Sequence, residues 1–326
     1  MRIVHGDVVD MGYASSSVMD LYDHRTSQFA YFEKITKVAE KASPGCADSV
    51  RSALDRVNSY VRDAAAKMDD DSMTIDSLAE QLGICVETIP DYINTHDLFA
   101  QELGMIVASH FAGNNMAYYP PTEDRALVRG CKIFQDPKLS EFEKVSGFLR
   151  MEKRFEVCYV MTVDLPPGPD GTISAGDWSG IGEGQTGRMW DFQTCVLAPM
   201  CGMSETSMFI PRQWSMEWLT EHCERRFGVK PELDSMVNQF HFDKLDNVTR
   251  LLLTDGQNDG WSVASIPDNL PANIEVIVFP NGAHHSDLNH FGPIEADTSD
   301  IKDGYARIDD LVGEWLDQVW TENDKE

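Results

Sequence analysis

Apolar positions along this chain follow two regimes. From about residue 20 to 150 they keep helical spacing. Phe29, Phe32, Ile35 and Val38 recur every three positions, and Val50, Leu54, Val57 and Val61 every three to four, which lines one face of a helix. Pro44-Gly45 breaks the first helix from the second. The series continues over Ile75–Leu82 and from Ile93 to Val107, Tyr118-Tyr119-Pro120-Pro121 ends it, and 125–135 predicts one more helix. Toward the carboxyl end the spacing gives way to continuous apolar runs. Arg250–Thr254 and Ile274–Phe279 predict buried strands, each followed at once by a turn rich in Gly and Asn. At the front, Asp7–Asp10 leads into a Gly/Ala/Ser run from Gly12 to Val18, which predicts a short, tightly packed strand. Residues 301–320 predict a closing helix that turns Ile308, Leu311, Val312, Trp315, Leu316 and Val319 inward. Residues 164–187, dense in Gly, Pro and Asp, predict an exposed loop. No internal repeat interrupts this order.

Composition narrows the function classes. The chain has 326 residues, enough for one large domain or two medium ones. Its 54 acidic residues outnumber 27 Lys and Arg, for a formal charge of −27. Phosphate neutralisation needs the opposite sign, so nucleic acid is excluded as a partner, and docking on anionic lipid is disfavoured. No apolar run reaches the roughly 18 residues of a membrane span. The start, Met1-Arg2-Ile3-Val4-His5-Gly6-Asp7, carries no secretory signal. The seven cysteines form no Cys-x-x-Cys pair, which argues against a zinc ribbon or thioredoxin motif and leaves scattered thiols or long-range disulfides open. Asn247-Val248-Thr249 is a glycosylation sequon. Sequon and cysteines point to secretion while the start does not, and a missing N-terminal piece would reconcile them.

Polar chemistry collects after the two carboxyl-terminal strands, where open α/β sheets gather functional groups. One end carries Asp255-Gly256-Gln257-Asn258-Asp259-Gly260-Trp261-Ser262, the other Asn281-Gly282-Ala283-His284-His285-Ser286-Asp287-Leu288. Asp259 and His284 stand 25 residues apart, about one strand–helix–strand unit. α/β-Hydrolases order their triad as serine, acid, histidine; the acid orients the imidazole, which takes the serine proton. Asp259 and His284 fit the second and third members. Other readings compete: Asp259 as a plain turn residue, the His pair as structural, and His284, His285, Asp287 and His290 as metal ligands. Asp69-Asp70-Asp71 and Asp170-Gly171-Thr172-Ile173 lack the ligand pattern of a calcium loop and read as a solvated helix boundary and a flexible loop. Trp190 and Trp261 read equally as pocket lining or core.

The last third resembles the family of serine peptidases that includes lysosomal Pro-X carboxypeptidase, dipeptidyl peptidase II and thymus-specific serine protease. Trp190-Asp191-Phe192-Gln193-Thr194-Cys195, Met208-Phe209-Ile210-Pro211 with Trp214, Cys223 with Phe227-Gly228-Val229-Lys230-Pro231, and Ala306-Arg307 carry the likeness. So do the two loops, which resemble Asn-Gly-x-x-Asp-Pro-Trp-Ser and Gly-Ala-His-His-x-Asp-Leu. The resemblance puts the family's acid on Asp259 and its histidine on His284. More weakly, Asp7–Ser17 resembles the strand after the family's nucleophile helix, and the stretch holding Cys46, Cys85, Tyr119-Pro120 and Cys131 resembles its inserted helical cap. Residues 136–188 match nothing in it.

This resemblance implies an incomplete α/β-hydrolase fold with an inserted cap. The hydrolase core would occupy about 1–20 and 186–326, the cap about 21–150, with an extra loop to 185. It implies disulfides Cys195–Cys223 and Cys85–Cys131, with free buried thiols as the competing state. Cys46, Cys158 and Cys201 then remain, and their odd number leaves at least one free thiol. It further implies an exopeptidase acting beside proline near a peptide terminus, with no cofactor, in a lysosomal, vacuolar or secreted and often homodimeric protein. The family's Gly-Gly-Ser-Tyr-Gly-Gly nucleophile motif is absent, and no Gly-x-Ser-x-Gly occurs anywhere in the chain. Gly260, Val196-Leu197 and Tyr118 also replace the family's proline, Thr-Glu and acidic residue. The expectation is therefore an inactive chain of peptidase descent, truncated at its N-terminus, with an exposed sheet edge and poor solubility. A non-catalytic binding relative and, more remotely, a metal-dependent hydrolase are the alternatives.

Overall fold

The computed structural model describes residues 1–22, 25–67, 73–89, 93–151, 158–161, 184–197, 201–212, 214–232, 234–240, 245–268 and 270–324. The candidate calcium loops and most of the Gly/Pro-rich stretch lie outside these residues. In chain order the described elements are β1 (Gly12–Ser15), α1 (Met19–Tyr22), α2 (Ala30–Ala42), α3 (Cys46–Ala64), α4 (Ile75–Gln81), α5 (His96–Met116), α6 (Ala126–Gln135), α7 (Glu141–Leu149), α8 (Gly184–Leu197), α9 (Met216–Phe227), α10 (Ser235–Phe240), β2 (Leu251–Gly256), β3 (Ile274–Phe279) and α11 (Ser299–Asn323). None of the described helices is long and apolar enough to cross a membrane.

The chain divides into two units, one of residues 1–27, 115–125 and 234–326, the other of 28–114 and 126–233. Two segments show how the contacts divide. Residues 115–125 join the sheet unit, where the Tyr119 hydroxyl donates to Asp297 over 3.0 Å. Residues 186–233 join the helical unit, where Gly202 N–H donates to the Gln28 carbonyl and Met208 N–H to the Thr36 hydroxyl.

The sheet unit holds three parallel strands in the order β1-β2-β3. Such strands need covered faces, and β2 is buried along its whole length. Met19, Leu245, Val248, Leu251, Leu253 and Ile274 form one apolar cluster against it. β3 is less buried than its apolar run predicts: Ile274 and Phe279 are buried, but Val276 and Val278 are exposed. Helix α11 buries Ile308, Leu311, Trp315 and Val319, while Leu316 is exposed, contrary to its expected inward turn. At Gly304 a Cβ would meet the Phe279 ring at 2.1 Å, so only glycine lets α11 lie this close to β3.

The helical unit is built on aromatic packing. Phe111 of α5 stacks on Phe148 of α7, with centroids 4.4 Å apart, and contacts Phe134 of α6 and Phe209. Met105, Ile106, Val107 and Ala108 are buried in succession on α5, which marks a helix enclosed on more than one face. The predicted faces of α2 and α3 are buried too, with Ile35, Val50, Val57 and Val61 among the most enclosed residues. Helix α7 is an addition to the sequence reading. Its signal was a capping box, in which Ser140 accepts from Glu143 N–H and the Glu143 carboxylate accepts from Ser140 N–H.

The disulfide pairing needs a correction. Cys195 bonds Cys223, but Cys85 bonds Cys158 and Cys131 bonds Cys46, with Cα separations of 5.5, 5.1 and 5.1 Å. The expected Cys85–Cys131 bond does not form. The reason lies in the backbone: Tyr159 N–H donates to the Gly83 carbonyl and Cys85 N–H to the Tyr159 carbonyl, which draws Cys158 to Cys85. Likewise Gln135 on α6 hydrogen-bonds Ser43 and Pro44 just before α3, which sets Cys131 beside Cys46. Cys201 is the free cysteine, and burial pushes its thiol up to about 12.

Candidate active site

Strand β2 ends at Gly256, and the chain turns sharply: Asp259 N–H donates to the Gly256 carbonyl. Strand β3 ends at Phe279 and turns in the same way through Gly282 N–H. The two turns are pinned to each other by backbone. Gln257 N–H donates to the Phe279 carbonyl, and Asn258 N–H to that of Gly282. A Cβ on Gly256 would lie 2.5 Å from the Ala283 carbonyl oxygen and the Gly282 carbonyl carbon, so this close approach requires glycine. Asn258 Nδ2 adds a bond to the Asn281 carbonyl, and Asn281 in turn donates twice to the Asp300 carboxylate.

This frame brings two side chains into contact. His284 Nδ1 lies 2.7 Å from Asp259 Oδ2. The Asp259 side chain is fully buried and that of His284 is 24% exposed. Asp259 Oδ1 accepts from Trp261 N–H over 3.0 Å, at the start of a short 3₁₀ turn, Gly260–Ala264, and the Asp259 carbonyl accepts from the Ser262 hydroxyl. Because an ionised carboxylate only accepts, Nδ1 carries the proton and Nε2 keeps its lone pair. A buried acid that fixes an imidazole in this tautomer is the arrangement a general base requires.

The next residues build a floor beneath the pair. His285 adopts a left-handed conformation, φ 52°, its N–H donating to Ser16 Oγ. Its ring lies 3.8 Å from that of His284, centroid to centroid. Asp287, buried, accepts from the hydroxyls of Tyr13, Ser15 and Thr254. With its single proton given to Asp287, Ser15 accepts from His285 Nδ1 at 3.1 Å. Burial, then the neighbouring His284, lowers the His285 pKa. Burial and the bond to Asp287 push the Tyr13 phenol well above its ordinary range.

Of the sequence-predicted groups, Asp259 and His284 come together. The four residues of the metal alternative do not: His284 Nδ1 is held by Asp259, Asp287 is engaged by hydroxyls, and these residues form no ligand cluster among the described ones. Trp190 is exposed, and Trp261 is half-buried beside Asp259. Asn247 is exposed in a turn, as a glycosylation acceptor must be. The roles of Asp287, Ser15 and Tyr13 had no local signature, because they rest on pairing between positions some 270 residues apart.

The sequence model of the serine carboxypeptidase S28 family matches residues 1–308. Among curated proteins, the lysosomal Pro-X carboxypeptidase of Mus musculus is 21% identical over 297 residues, covering 90% of this chain and 57% of the relative. The lysosomal Pro-X carboxypeptidase of Bos taurus is 29% identical over 101 residues, 30% of this chain and 20% of the relative. The thymus-specific serine protease of Mus musculus is 24% identical over 149 residues, 43% of this chain and 28% of the relative. Where the match is longest, the chain spans about half the length of these relatives.

Proposed function

The chain belongs to the serine carboxypeptidase S28 family, and from this premise we propose that Asp259 and His284 are the acid and base of a proline-directed serine exopeptidase. The observation that carries the reading is the 2.7 Å bond from His284 Nδ1 to the buried Asp259 carboxylate, on adjoining turns after adjacent parallel strands. In this chemistry the His284 Nε2 lone pair takes the proton from a serine hydroxyl as its oxygen attacks the scissile carbonyl. Asp259 stabilises the imidazolium so formed, and His284 then returns the proton to the leaving amine. An acyl-enzyme remains, which water hydrolyses with the same histidine as base.

The hydroxyl is the part this sequence does not supply. It holds no Gly-x-Ser-x-Gly elbow, and among the described residues the bond to Asp259 is the one hydrogen bond of the His284 ring. On this reading the 326 residues by themselves form no acyl-enzyme. The names of the relatives support a Pro-X peptide as substrate and a lysosomal setting, and a buried carboxyl that ionises only near pH 7, Glu102, suits an acidic compartment.

A serine-directed fluorophosphonate tests this. The chain is expected to remain unlabelled and to leave Pro-X peptides intact; labelling that His284→Ala abolishes would overturn the missing-nucleophile reading. Sequencing the transcript upstream of Met1 is the second test. An in-frame Gly-Gly-Ser-Tyr-Gly-Gly is expected, and its product should cleave Pro-X peptides and lose that activity in Asp259→Ala. A transcript without the motif favours a non-catalytic binding relative, the reading that the absent elbow supports.

A further inference from the structure

We infer that Asn115 is the positioning residue of the acid–base pair, gripping the backbone on both sides of Asp259. The Asn115 side-chain amide is fully buried. Its Nδ2 donates to the Asn258 carbonyl over 2.8 Å, and its Oδ1 accepts from Gly260 N–H over 2.8 Å. One planar group thus holds the residue before the acid and the residue after it. Buried polar groups are costly unless paired, and here the donor and the acceptor both find partners on the flanks of one residue.

The consequence is directional. Asp259 lies at the start of a short 3₁₀ turn, where its own N–H is already committed to the Gly256 carbonyl and its Oδ1 to Trp261 N–H. Rotation of the 258–259 or the 259–260 peptide plane would swing Oδ2 off His284 Nδ1. Each plane has one anchor of its own, Asp259 N–H on the Gly256 carbonyl and the Ser262 hydroxyl on the Asp259 carbonyl, and the Asn115 amide gives each plane its second. Asn115 touches neither His284 nor any reacting atom; it acts through Asp259. No near relative of asparagine would serve unchanged: glutamine places the fork one carbon too far, and the aspartate carboxylate keeps the acceptor for Gly260 N–H but sets a second acceptor against the Asn258 carbonyl.

This inference rests on the Asp259–His284 reading, and the test separates the two. The Nδ1 proton of His284, held against a carboxylate, gives a far-downfield proton resonance that needs no turnover to observe. It is expected in the wild-type chain and lost in Asp259→Asn; a wild-type chain without it overturns the acid–base reading itself. With the resonance present, Asn115→Ala is expected to broaden it beyond detection and to speed exchange of the Gly260 amide at least tenfold relative to the amides of β2. Asn115→Asp, nearly isosteric, should abolish the resonance and keep Gly260 protected. Leu311→Ala, which weakens the same unit from α11, should lower stability and leave the resonance in place. Persistence of the resonance in both Asn115 variants overturns the inference. Failure of both to fold, when Leu311→Ala folds, does so too, since the residue would then be structural.

Discussion

The two units solve the problem of order by different means. The helical unit relies on ring-on-ring packing around Phe111 and Phe148 and on disulfides that tie residues 85, 73 and 28 positions apart. The sheet unit contains none of the disulfides and carries much of its order in polar contacts at one end of its strands: Asn115, Asp259, His284, Asp287 and Asp300 each bind a neighbouring turn or strand. Apolar packing tolerates small shifts, because it has no preferred direction. Hydrogen bonds to buried carboxylates do not, because direction and distance set their strength. The proposed acid–base pair therefore sits in the unit whose bonding can specify an angle.

Four substitutions or titrations break this contrast in decreasing order of effect. Phe148→Ala should remove about 3–5 kcal/mol from the helical unit, read by denaturant titration, because the ring meets Phe111, Phe134 and His110. The downfield proton of His284, which belongs to the other unit, should survive in native buffer. Next comes Glu102, whose buried carboxyl is raised from 4.5 to about 7 despite the Arg212 guanidinium 3.4 Å away. A group raised in the folded state stabilises fully below its unfolded pKa and loses that contribution as pH rises through the folded one. The helical unit should thus gain roughly 3 kcal/mol between pH 7.5 and 4.5, and Glu102→Gln should flatten the profile.

Asp287→Asn should cost the sheet unit about 1–3 kcal/mol, since hydroxyls that donated to a charge lose it. The same substitution should let the Tyr13 phenol ionise at lower pH, followed by tyrosinate absorbance, because one cause of its raised pKa is gone. The smallest effect belongs to His285. Its pKa is lowered in the fold, so its contribution is present above its ordinary value and fades as pH falls below it, opposite in sign to Glu102. His285→Asn should remove that acid-side loss, visible as a shallower decline in protection of β1 and β2 amides.

The sequence was most legible where chemistry and local structure coincide. A strand, a glycine turn and an acidic or imidazole side chain in order single out Asp259 and His284 beside competing readings, the family resemblance chooses between them, and both strands fall where the apolar runs predict. The helical faces of α2 and α3 were equally plain. What stayed hidden depends on long-range pairing. Cysteine spacing cannot say that Tyr159 pairs beside Cys85 and so draws in Cys158, and nothing around Asn115 distinguishes it from Asn114 next to it. Val276 and Val278 show the converse error: a continuous apolar run predicts burial on both faces, but the run alone does not say what covers the second.

The backbone-to-backbone seam at Gly256 and Gly282 has an evolutionary corollary. An insertion or deletion of a single residue in either turn would unregister every bond across the seam, so descendants of this fold can lengthen neither connection and keep the pair. Changes of length that leave the distance between carboxylate and ring intact are therefore expected elsewhere along the chain, in segments that no such seam ties.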